Sequence, residues 1–159
     1  MNNSTISILA QDLFKLLDMD ALEASEKELF LSDFLKTVSR YFFQEKLGKV
    51  LSAQEKETLA TKYESLDQEN IYALMEEMSN RIENVEELYT EALVYVKSQV
   101  VKDFYKDKVG MLEKLVAEEE DVTVKQNLSF MLSLAKKKLD FALNERYDQI
   151  INISNTEEI

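Results

Sequence analysis

The 159-residue chain has the length of one ordinary domain, and its 31 acidic against 19 basic residues leave a net charge of −12, which disfavours direct contact with nucleic acid phosphates or an anionic membrane. It has no proline, cysteine, histidine or tryptophan and only two glycines, which excludes disulfides, thiolate chemistry and imidazole bases or metal ligands, and argues against turn-dense β architectures. With 45% hydrophobic residues there is enough apolar surface for a packed core, and the expected class is all-α: a bundle of about six helices, the last two long and paired as an antiparallel hairpin.

Helix starts are marked by Ser, Thr, Asn and Asp, whose side chains satisfy the free N–H groups of a first turn. Ser4 or Thr5 caps a first helix to about Leu17, with Ile6, Leu9, Leu13, Leu16 and Leu17 on one stripe. Asp18-Met19-Asp20 reads as a turn. Ser25-Glu26-Lys27-Glu28 has the form of a capping box and opens a helix to about Leu51. Phe30, Leu31, Phe34, Leu35, Val38, Tyr41 and Phe42 form its main stripe. Leu29, Phe43, Leu47, Val50 and Leu51 fall near the opposite side, so this helix is expected to be buried on two faces at the centre of the bundle. Core packing is also the expectation for Tyr41-Phe42-Phe43.

Ser52-Ala53-Gln54-Glu55 is a second capping box, opening a short helix with Leu59, Ala60 and Tyr63 inward. Asp67 caps the next, which carries Ile71, Leu74, Met75, Met78 and Ile82, the two methionines reading as gap-filling core. Asn84, with Glu87 three residues on, opens a helix of about 33 residues whose stripe runs Leu88, Ala92, Leu93, Val96, Val100, Phe104, Val109, Leu112 and Val116. Gly110 weakens it by about 1 kcal/mol relative to alanine. Glu118-Glu119-Glu120-Asp121 ends it, because like charges at a helix C-terminus oppose the macrodipole. A final helix runs from about Val122 to Ile151 on Leu128, Leu132, Ala135, Leu139, Leu143 and Ile150, and 154–159 reads as a frayed tail.

A helix of about 33 residues is about 50 Å long at 1.5 Å per residue, longer than a compact globule of this chain length is wide. Residues 1–85 are therefore expected to form an N-terminal helical body, and 86–153 a long hairpin packed on the same domain with its distal part standing clear. The alternative is that Gly110 breaks the long helix and folds its second half back. Met111, Phe130 and Leu134 lie off the hairpin seam, which makes them candidate contacts for a partner or for a second copy of the chain.

No catalytic, cofactor or metal site is expected. Gly48 and Gly110 alone cannot build a phosphate loop. No histidine supplies the Glu-x-x-His pairs of a di-iron bundle, and Asp18-Met19-Asp20 lacks the glycine and spaced acids of a calcium loop. Lys136-Lys137-Lys138 reads as a solvated face. Acid is concentrated at 52–100, with 11 acids against 4 bases, and Glu76, Glu77, Glu86 and Glu87 are the candidate contacts there for a basic partner. The first residues have no basic n-region and no run of 18 apolar residues occurs, so the expected location is the cytoplasm.

Four segments, Leu22-Glu23-Ala24-Ser25-Glu26-Lys27-Glu28-Leu29, Leu51-Ser52-Ala53-Gln54-Glu55-Lys56-Glu57, Asp67-Gln68-Glu69-Asn70-Ile71-Tyr72-Ala73-Leu74 and Ile82-Glu83-Asn84-Val85-Glu86-Glu87-Leu88, occur in that order and spacing. Over about residues 10–100 the chain thereby resembles an uncharacterised family of small acidic all-helical proteins known mainly from candidate-phyla (reduced-genome) bacteria. Such relatives tend to have proline where this chain has Glu83, which leaves the helix over 68–82 free to run on into the next. The resemblance implies a helical fold and carries no site residues.

The leading functional expectation is a non-catalytic interaction or scaffold protein that binds another protein, or itself as a dimer through the hairpin, by helical faces. The alternative is an acidic decoy that occupies the basic groove of a nucleic-acid-binding protein through the 52–100 segment.

Overall fold

The computed structural model describes residues 8–63 and 68–157. Among them every regular element is helical. After a turn of helix at 8–10 come α1 (Leu13–Leu16), α2 (Ala24–Tyr41), a π-helical segment (Phe42–Leu47), α3 (Gly48–Val50), α4 (Ala53–Lys62), α5 (Gln68–Ser79), α6 (Val85–Glu118), α7 (Val122–Leu143) and α8 (Tyr147–Glu157). The fold is an all-α bundle in which the two long helices α6 and α7 pack together. Ser4, Thr5, Ile6 and Asp67 lie outside the described residues.

The described residues fall into two compact units. One is Leu22–Val96; the other joins those up to Ala21 with those from Lys97 onward. The division thus differs from the 1–85 and 86–153 segments read from sequence, and α6 supplies helical turns to both units.

In the 22–96 unit, Phe34, Val38 and Phe42 are buried at four-residue spacing, and the next buried position is Leu47, five residues on. A π-helix bonds residue i to i+5, so the segment from Phe42 to Leu47 brings residues five apart onto one face. The two stripes expected on this helix therefore merge into one, and the second buried face does not form: Leu29 is 68% exposed and Val50 54%. The helix starts two residues earlier than expected, because the Glu26 carboxylate accepts from the Glu23 N–H at 3.0 Å. The Ser52 box is as the sequence prescribes. The Glu55 carboxylate accepts from the Ser52 N–H at 2.8 Å, and the Ser52 hydroxyl accepts from the Glu55 N–H at 3.3 Å. Leu59 and Tyr63 point inward from α4, whereas Ala60 is exposed. Helix α5 stops at Ser79 without proline, separated from α6 by turns. Across this unit Tyr41 stacks on Tyr95 with ring centroids 4.4 Å apart, Phe42 meets Tyr89 edge-on at 5.3 Å, and Lys46 pairs with Glu91 at 2.5 Å.

In the other unit the expected first helix is interrupted at 11–12 and restarts where the Asp12 carboxylate accepts from the Lys15 N–H at 3.0 Å. It ends in a left-handed residue, Asp18, at φ 52°. The Met19 N–H bonds the Phe14 carbonyl and the Asp18 N–H the Lys15 carbonyl, the pairing of a Schellman stop. The same device divides the expected Val122–Ile151 helix. Glu145 lies at φ 57°, with Arg146 N–H on the Phe141 carbonyl and Glu145 N–H on that of Ala142, and α8 starts afresh at Tyr147. Residues 154–157, expected to fray, continue α8. Helix α6 runs unbroken through Gly110. Beyond Val96 its buried positions are Lys97, Ser98, Val101, Tyr105 and Leu112, so the expected stripe at Val100 and Phe104 is rotated by one residue and those two are half-buried. Tyr105 and Tyr147 are fully buried. Their hydroxyls are satisfied: Tyr105 donates to the Leu16 carbonyl at 2.6 Å, and Tyr147 lies 2.7 Å from the Ser98 hydroxyl.

Candidate interaction surfaces

Asp18 ties the end of α1 to three other helices. Its carboxylate accepts from Lys138 of α7 at 3.1 Å, from Lys108 of α6 at 3.1 Å and from the Ser154 hydroxyl of α8 at 3.0 Å. Lys138 is only 3% exposed, which corrects the reading of Lys136-Lys137-Lys138 as a solvated face: Lys137 is exposed, and Lys136 pairs with Glu113 across the hairpin at 2.9 Å. Burial pushes the Asp18 carboxyl up, but Lys138 and Lys108 outweigh it and hold the group below its ordinary value. Lys97 is a second buried ammonium, donating to the Gln11 carbonyl at 2.5 Å; burial pushes its pKa down and Asp12 only partly counters that.

Because Lys108 and Lys138 meet one carboxylate, they mark the same side of the hairpin. Residues three, four and seven apart share a helix face. Met111 and Leu115 therefore continue that side along α6 towards the 119–121 connection, and Leu134 and Met131 continue it along α7 in the same direction. Near Asp18 this side is covered; further along it is open. Met111 is 55% exposed, Leu115 and Met131 are also exposed, and Phe130 on the flank is 64% exposed. Of the three hairpin residues singled out from sequence, Met111 and Phe130 are exposed and Leu134 is half-buried. Leu115, Val122, Val124 and Met131 extend the exposed apolar set.

The acidic candidates lie in the 22–96 unit. Glu76, Glu86 and Glu87 are exposed, and among the described residues their carboxylates enter no ion pair. Glu77 is different. It accepts from Lys62 at 2.5 Å and from the Tyr63 hydroxyl at 2.9 Å, with Arg81 at 3.5 Å. Hydrogen bonds from Lys62 and then Tyr63 hold its carboxyl below the ordinary value. Glu77 thus ties α4 to α5.

The same unit contains a cleft of about 200 Å³ that the sequence did not reveal. Leu35 and Ser39 of α2, Ile71, Tyr72 and Met75 of α5, and Tyr89 and Leu93 of α6 line it. Met78 is fully buried core, as expected, but Met75 is half-buried on this cleft. No helix among the described residues is long and apolar enough to cross a membrane. In comparisons with known proteins, no family model, no curated protein and no solved structure matches the chain.

Proposed function

We propose that this protein is a non-catalytic interaction protein of the cytoplasm, and that it docks another protein on the open apolar side of the α6–α7 hairpin. The observation that supports this reading is the run of Met111, Leu115 and Met131, flanked by Phe130, on the side marked by the Asp18 lysines. Contiguous apolar surface of this kind on a folded chain marks an interaction site more often than it marks an idle face. A helix laid along this open side would cover these residues with its own apolar face. The occupant is a protein with an apolar helical face; a second copy of this chain is the other case.

The test compares the wild type with a Met111→Asp, Phe130→Asp double variant. Both positions are exposed, so helix content by circular dichroism should be unchanged. Native pull-down from extract at 50 and 300 mM salt should retain a partner on the wild type at both concentrations and lose it on the variant. Sedimentation of the purified chain should show whether self-association is lost with it. Retention and sedimentation equal for both proteins would overturn the reading.

A second reading, an acidic decoy for a basic protein, is favoured by one observation: Glu76, Glu86 and Glu87 are exposed in a unit where residues 22–96 hold 16 acids against 8 bases. Its mark would be retention that collapses between the two salt concentrations, since exposed charges are screened beyond about 8 Å at physiological ionic strength.

A further inference from the structure

The open side of the α6–α7 hairpin is apolar in its middle and charged at its ends. Glu118 lies three residues after Leu115 and seven after Met111, so it carries their face of α6 to the last residue of the helix. Glu120 follows in the connection. Both are exposed, and among the described residues neither carboxylate enters an ion pair. Glu119 and Asp121 add negative charge at the same place, although each also serves locally. Glu119 accepts from the Asp121 N–H at 2.9 Å, and Asp121 accepts from the first turn of α7. No base occurs from 115 to 124, and residues 126–135 of α7 carry no charge of either sign. At the far end stands Lys137, exposed, three residues after Leu134 and seven after Phe130.

Two properties of this surface select an occupant. Met111 and Met131 are exposed, and unbranched thioethers adapt to apolar helix faces of varied sequence. The four acids at 118–121 attract a base laid beside them and repel an acid. Lys137 disfavours bases at the opposite end, so the positive charge of the occupant belongs at one end only. A second copy turned end for end would set four acids against Lys137, since Lys136 and Lys138 are already paired, and is the poorer match. We infer that the open side of the hairpin binds a basic amphipathic helix, with its apolar stripe over Met111, Leu115 and Met131 and its lysines or arginines beside 118–121. This inference rests on the docking reading above and names the chemistry of the partner.

The probe is a synthetic peptide of about 14 residues, about 21 Å long as a helix, with leucines at three- and four-residue spacing, alanine and glutamine elsewhere, and lysines in its last turn. One control peptide has glutamates for the lysines, another serines for the leucines. Each is titrated into the full chain and followed by the methionine methyl resonances, with Met111 and Met131 assigned by their leucine variants. The basic-ended peptide should shift both methyls saturably and leave the fully buried Met78 unmoved. The acidic-ended peptide should bind about tenfold more weakly at 50 mM salt, a ratio that narrows at 300 mM. The serine peptide should give no saturable shift. Glutamates in a last turn also weaken the peptide helix, so the deciding comparison is the Glu118→Lys, Glu120→Lys double variant, which should prefer the acidic-ended peptide. Lysine suits the C-terminus of α6, and helix content by circular dichroism should be unchanged. A preference that is the same in the variant as in the wild type, or serine-peptide binding as tight as that of the leucine peptide, would overturn the inference. The docking reading would survive the first of these results. It would fall, and the inference with it, if neither leucine peptide moved Met111 or Met131.

Discussion

Asp18 does two jobs that ordinarily fall to different residues. It ends α1 in a left-handed conformation, which costs a non-glycine residue roughly 1–2 kcal/mol. It also gives its carboxylate to Lys138, Lys108 and Ser154. A glycine would relieve the backbone and remove the charge; asparagine, which tolerates the left-handed region, separates the two roles. Asp18→Asn should therefore leave the turn intact but strip the buried Lys138 ammonium of its carboxylate. Breaking a fully buried pair costs about 3–5 kcal/mol. The Asp18 side chain is 24% exposed, so the expected loss is smaller, about 2–3 kcal/mol, measured by denaturant unfolding at pH 7. The pH dependence has a definite sign. A carboxyl held below its ordinary value contributes stability that is fully present above the unfolded-state pKa, near 3.8, and is lost as pH falls through the lower folded value. The difference between wild type and Asp18→Asn should accordingly shrink below about pH 4. A constant difference from pH 7 to pH 2 would show that the pair contributes nothing.

At the scale of elements, the starts at Ala53 and Val122 and the stops near Leu17 and Glu118 are legible in the sequence, whereas the restart at Asp12, the capping box at Glu23 and the break before Tyr147 are not. The Ser52 box is a local chemical pattern, and the structure realises it atom by atom. The stops at Asp18 and Glu145 use Schellman hydrogen bonds without glycine; the first coincides with the turn that Asp18-Met19-Asp20 marks in the sequence, whereas Asn144-Glu145-Arg146 carries no such mark. For this reason the final helix was read straight through 144–146. The π-helical segment is intermediate. Its mark is the five-residue step from Phe42 to Leu47 in a row otherwise stepping by four, which a strictly α-helical period reads as a second face. The open side of the hairpin was partly legible: Met111 and Phe130 fall off the seam by spacing alone, but which seam positions go uncovered depends on where residues up to Ala21 and α8 stop.

Two substitutions follow from this geometry. Glu145→Gly removes a left-handed strain and should stabilise by about 1 kcal/mol. Gly110 is in mid-helix with nothing within 4 Å of an added Cβ, so Gly110→Ala should also stabilise, by about 0.5–1 kcal/mol. Thermal unfolding measures both. A destabilising Gly110→Ala would mean that the helix is not continuous there.

For the whole molecule the main question is whether charge or apolar packing would make the proposed contact, and the net charge of −12 alone does not answer it. Reversing Glu76, Glu86 and Glu87 to lysine brings the net charge to about half while sparing Glu77, whose bonds to Lys62 and Tyr63 would otherwise be broken. Stability is a poor readout for this variant because its terms oppose. Glu86 and Glu87 lie in the first turn of α6, where acids favour the helix by about 0.3–1 kcal/mol each. Glu76 lies near the end of α5, where a lysine is the better residue by a similar amount. The decisive measurement is association. If the apolar side of the hairpin makes the contact, the triple variant should retain the wild-type partner at both 50 and 300 mM salt, because no charge on the 22–96 unit takes part. If the acidic surface makes it, retention at low salt should fall and its salt dependence flatten, since each phosphate-mimicking carboxylate removed takes away a screened attraction. Retention unchanged in the triple variant but abolished by Met111→Asp and Phe130→Asp is the expected pair of outcomes. The reverse pair would move the contact from the hairpin to the acidic surface.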